Sequence, residues 1–140
     1  MSYEALLTEG SIRKQTPDPG SFHDLLAGAE RDVSVAAQTL DVDADWAFNI
    51  AYNAVLRASR AYMFKQGYRP RGPEGHITVV RFLKEALGEA FAGEVATFDQ
   101  MRRKRNSAVY EASGRIGRQE AEQAVSFARN FLAKIRGLIG

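Results

Sequence analysis

Four side chains in the second half of the chain, Arg102, Arg105, Asn106 and Tyr110, have the types and spacing to act together on an anion. Wound at about 100° per residue, Val95, Phe98, Met101, Ala108, Val109 and Ala112 draw one apolar arc on a helix spanning 95–112. Arg105 falls near the middle of that arc. A permanently charged guanidinium belongs there only if an acid pairs with it or the stripe faces a wet cleft. Both environments stay open: an ion pair with an acid of the first half, such as Asp32 or Asp45, or a cleft that receives a ligand. Arg102, Asn106 and Tyr110 follow one another at i, i+4 along the edge of the same arc. Two guanidiniums suit a phosphate, and the amide and phenol add hydrogen bonds and a stacking face. Arg103 and Lys104 point elsewhere on the helix, so the basic run 102–105 is not one continuous patch.

The rest of the sequence narrows the chemistry. There is no cysteine, which excludes a disulfide framework, a thiol nucleophile and thiolate zinc sites. The two histidines, His23 and His76, are too few for most histidine metal sites. His23 reads as part of an amphipathic helix and His76 as a capping residue at a helix start. No phosphate-binding glycine loop, dinucleotide fingerprint, zinc-protease motif or nucleophile elbow is present, and no metal or cofactor is expected. Glu85 and Glu89, one turn apart, read as surface. The first 50 residues hold three basic and nine acidic side chains, and the remainder sixteen and eight. That asymmetry fits either a polyanion-binding half or an acidic helix packed on a basic one.

Helices must position these groups. Tyr3–Leu7 make a short apolar piece before a polar stretch ending in PDPG, and together residues 1–19 form an N-terminal lead-in. Phe22, Leu25, Leu26, Ala29, Val33, Ala36, Ala37 and Leu40 then recur at helical spacing, with Ser21 as N-cap. A second helix runs from Trp46 to about Gln66, capped by Asp43 or Asp45 and stopped by Gly67. Its Ala47, Ala51, Ala54, Ala58 and Ala61 form a seam that admits a close neighbour. Tyr52, Asn53, Arg57 and Arg60 lie off the seam and read as solvated face, with Arg57 and Arg60 available to a basic surface. The loop GYRPRGPEG separates this helix from one over His76–Leu87, because prolines cannot continue it. After the 95–112 helix and the SGRIG break, residues 118–139 carry a stripe of Ala121, Ala124, Val125, Ala128, Phe131, Leu132, Ile135 and Leu138. No segment shows sustained period-2 alternation of β-branched residues, so strands are not expected. Residues 20–140 predict an all-α domain, an antiparallel bundle of four to five long helices preceded by the short one. No window approaches a membrane span and the N-terminus lacks a signal-peptide pattern, which predicts a cytoplasmic domain.

Three runs, WAFNIAYNAVLRASRAYMFKQGYRPRG, GHITVVRFL and FDQMRRKRNSAVYEAS, together with the closing QEAEQAVSFARNFLAKI, resemble the HEPN (higher eukaryotes and prokaryotes nucleotide-binding) domains over residues 20–138. The most specific element is the Arg105–Asn106 pair with a polar aromatic shortly after. The resemblance implies a bundle of four or five helices, often dimerised so that the motif helices of two protomers face one cleft. It also implies kinship with metal-independent ribonucleases, commonly toxins paired with a nucleotidyltransferase that serves as antitoxin. In that pattern Arg105 matches the arginine and Asn106 the polar residue, while Tyr110 stands where a histidine is usual. A phenol with an ordinary pKa near 10 is a poor base at neutrality, although it still donates a hydrogen bond and stacks.

The expected function is therefore a nucleotide- or RNA-binding module, acting as a homodimer or with a nucleotidyltransferase-type partner. Arg102, Arg105, Asn106 and Tyr110 are its binding residues. The alternatives are a ribonuclease that uses Arg105, Asn106 and Tyr110, with His76 as a substitute histidine, and a helical dimerisation protein without a ligand.

Overall fold

A computed structural model of the chain describes residues 3–71, 75–110 and 116–140, and of residues 106–110 the helical backbone alone. The elements in order are α1 (Glu4–Thr8), β1 (Ile12–Lys14), α2 (Pro19–Thr39), α3 (Ala44–Gln66), β2 (Tyr68–Pro70), α4 (Gly75–Leu87), a 3-10 turn (Gly88–Phe91), α5 (Ala92–Tyr110) and α6 (Arg118–Ile139). Five helices of 13 to 23 residues make this an all-α domain. Among the described residues, no helix is long and apolar enough to cross a membrane.

Local chemistry sets the helix ends. Asp18, in extended backbone, accepts the Gly20 amide at 3.1 Å and starts α2, with Pro19 in the first turn. Proline's fixed φ and missing N–H suit that position. Ser21, expected as the cap, instead lies inside the helix and donates its hydroxyl to Asp18. Asp43 caps α3 through the Trp46 amide, and Gly67 ends the helix at φ +93°, a left-handed conformation that favours glycine.

α3 is the axis of the fold. α2 and α6 pack against it and against each other, while α4 and α5 pack together on another side of it. All five seam alanines are fully buried, which lets the neighbouring helices approach closely. On α6 the expected stripe is buried from Ala121 to Ile135, but Leu138 is exposed and Ile139 takes the core position at the end.

The expectation of no strand fails at one point. Ile12, Arg13 and Lys14 pair antiparallel with Pro70, Arg69 and Tyr68. Three residues are too few to display alternation, and Pro70 at the strand end needs no ladder donor of its own. This ribbon ties the N-terminal lead-in to the bundle: Leu6 and Ile12 are buried, and Tyr3 lies against Tyr68 and Phe82. An exposed two-pronged ion pair from Arg81 to Glu9 joins α4 to the same segment.

Candidate functional site

The site forms where α3, α4 and α5 meet. Val95, Phe98 and Met101 bury the apolar side of α5, and Phe98 lies 5.9 Å from the ring of Tyr52 on α3, centroid to centroid. One helical turn beyond Met101, that same face of α5 brings Arg105 over the Tyr52 ring, its guanidinium carbon 5.5 Å from the centroid. An aromatic face thus takes the place of an acid beneath the charge. The two acids considered for an ion pair are engaged elsewhere. Asp32 lies 3.4 Å from Arg57, and Asp45 accepts the Ile116 amide at 3.1 Å. Among the described residues no carboxylate forms a salt bridge with Arg105.

Tyr52 was expected on the solvated face of α3, yet it is completely buried. Its hydroxyl meets Nδ1 of His76, in the first turn of α4, at 3.0 Å. His76 is therefore a hydrogen-bonding partner of the core tyrosine and not a cap. Burial pushes the Tyr52 phenol up to about 12, against the opposing pull of Arg105, Arg102 and Arg60. The hydroxyl stays protonated at every physiological pH. Burial also holds the His76 imidazole below its ordinary range, and the positive charges of Arg105, Arg60 and Arg102 lower it further.

Arg60, on α3, completes the cluster. Its Nε is buried without a hydrogen-bond partner, and burial lowers its pKa. A Cβ placed on Gly75 would sit 3.3 Å from Arg60 Nη2, so a glycine at the start of α4 leaves room for the guanidinium. Arg102 donates through Nε to Asp99 at 2.9 Å, and Arg103 also pairs with Asp99. Lys104 turns away to Glu120 on α6. The basic run thus divides as its helical spacing implies, with Arg102 and Arg105 directed to the cluster.

Three guanidiniums and an imidazole share this region, and among the described residues Asp99 is the acid that acts on Tyr52 at its centre. Such an excess of fixed donors and positive charge is suited to an anion with several oxygens. Among the described residues, no group of three histidine, cysteine, aspartate or glutamate side chains is placed to hold a metal ion. Asn106 and Tyr110 belong to the helical backbone of α5, and their side chains lie outside the described residues.

No curated protein matches the sequence. The sequence model of the HEPN domain does, over residues 22–138. That span runs from the first turn of α2 to the last turn of α6 and includes every residue of the arginine cluster. The chain belongs to the HEPN domain family.

Proposed function

We infer that the protein is a HEPN module that binds nucleotide or RNA phosphates at Arg60, Arg102 and Arg105. Asn106 and Tyr110 extend the site along α5 by hydrogen bonding and stacking. The observation that carries this reading is Arg105, whose half-buried guanidinium rests on an aromatic ring and, among the described residues, forms no salt bridge. The unpartnered Nε of Arg60 supports it. The protein acts as a homodimer or beside a nucleotidyltransferase-type partner, the arrangement of toxin–antitoxin pairs, so that the α5 helices of two chains border one cleft.

A second reading, a metal-independent ribonuclease, is favoured by His76, a neutral imidazole within the field of the same arginines. Tyr110 argues for the first, because a phenol is a poor proton acceptor near neutrality. The test is a fluorescent oligouridylate incubated with chelator, read by anisotropy for binding and by gel for cleavage. Native protein should bind in a salt-sensitive manner and cleave weakly or not at all. Tyr110→His should raise cleavage, and Arg105→Ala should abolish it. Vigorous Arg105-dependent cleavage by the native chain would establish the ribonuclease reading. Absence of both binding and cleavage would leave a structural dimerisation protein.

A further inference from the structure

We propose that His76 is a fourth ligand of the bound phosphodiester, taking a proton from solvent as the anion enters so that an imidazolium joins Arg60, Arg102 and Arg105. This rests on the phosphate-binding reading and adds to it a residue outside the α5 motif.

The argument starts from the hydroxyl of Tyr52. A phenol both donates and accepts, so it serves either form of the imidazole at the same 3.0 Å contact. When the ring is neutral, the hydroxyl donates to Nδ1 and the ring proton resides on Nε2. When the ring is charged, Nδ1–H donates back to the hydroxyl. The ring keeps one orientation in both states, and Nε2–H remains a donor for a ligand. Tyr52 is itself fixed by burial and by Phe98, so the imidazole is positioned by the core.

Electrostatics then couple the proton to the anion. Among the described residues, the charged groups that act on His76 are Arg60 from α3 and Arg102 and Arg105 from α5, while Asp99 acts on its partner Tyr52. β2 contributes nothing opposing: Arg69 turns to Gln15, and the Tyr68 ring packs on Tyr3 and Phe82. The acid of the 3-10 turn, Glu89, is exposed at the far end of α4. In the free protein burial first, and then these three like charges, hold the imidazole below its ordinary range. A phosphodiester placed among them reverses the local field and favours the imidazolium. Binding and protonation strengthen each other, and each unit by which the anion raises the histidine's proton affinity is a tenfold tighter complex at low pH.

The test uses 2′-O-methyl oligouridylate, which cannot be cleaved and whose phosphodiesters do not titrate between about pH 5.5 and 8. Native protein should bind roughly tenfold more tightly at the acid end of that window, and His76→Gln should show less than about a twofold change. Because the chain has only two histidines, imidazole NMR on the native protein gives a second reading. The ligand should raise the midpoint of the His76 titration and leave the resonance of His23, exposed on α2, in place. A midpoint unmoved by saturating ligand, or the same pH dependence in His76→Gln, would overturn the proposal while leaving the binding reading intact. Failure of native protein to bind at any pH would overturn both.

Discussion

Replacing Arg105 with alanine separates the two environments that a guanidinium on an apolar arc can occupy. In a buried ion pair, removing one partner strands the other charge and costs about 3–5 kcal/mol. Here the guanidinium lies 5.5 Å from the centre of the Tyr52 ring and is half-buried. A contact of that kind contributes about 0.5–2 kcal/mol. Against this loss, the variant sheds the desolvation of Arg105 and its repulsion with Arg60 and Arg102. The net loss should be at most about 1 kcal/mol, the ordinary range for a substitution. With a urea slope of about 2 kcal/mol per molar, the midpoint should fall by no more than about 0.5 M, against roughly 2 M for a broken ion pair. Far-ultraviolet circular dichroism is the proper signal, because the single tryptophan, Trp46, is 61 % exposed and reports little of the core. In parallel, the slope of log affinity for single-stranded RNA against log salt should fall by about 0.7, one phosphate contact. A loss of 3 kcal/mol or more, with an unchanged salt slope, would make Arg105 a structural residue and remove the basis of the binding site.

Two further outcomes follow from neighbouring side chains. Burial raises the pKa of Asp32 more than the attraction of Arg57 and Arg31 lowers it, and its buried Oδ2 accepts no hydrogen bond. A carboxyl raised in the fold favours folding below its unfolded pKa, and that contribution disappears as pH rises through the folded value. Asp32→Asn should therefore be at least as stable as the native chain at pH 7, with any advantage gone by about pH 3; urea midpoints at both pH values decide it. A Cβ on Gly75 would come within 3.3 Å of Arg60 Nη2, the movable end of a long side chain. Gly75→Ala should leave stability within about 1 kcal/mol yet weaken RNA binding several-fold, and unchanged affinity would place Arg60 outside the site.

The long helices were legible because each carries its own record. The stripe of α6 repeats at helical spacing through 22 residues, and Gly67 announces the end of α3. The ribbon of β1 and β2 was hidden for the opposite reason: three residues with one buried side chain carry no period. Helix starts were blurred where two capping residues lie close together. Asp18 wins over Ser21 because Pro19 between them is already shaped for the first turn.

The site divides along the same line. Arg105 stood out because a single helical wheel places it among apolar residues. Tyr52 did not, because the alanine seam alone suggested a narrow buried face for α3. Set at about 100° per residue, Tyr52 falls between Phe48 and Met63, both buried, with Ser59 beside it. The buried arc is wider than the seam because helices pack on several sides of α3. His76 lies 24 positions from Tyr52 on another helix, and no spacing rule within one element joins them. That junction also explains how three like charges survive together. Half-buried guanidiniums raise the free energy of the fold unless something replaces the water they lose. Asp99 does so for Arg102 and the Tyr52 ring for Arg105, whereas the Nε of Arg60 has no hydrogen-bond partner. On the phosphate-binding reading proposed above, an incoming anion would relieve the repulsion among all three, so the least satisfied part of the described fold is the place where that reading puts the ligand.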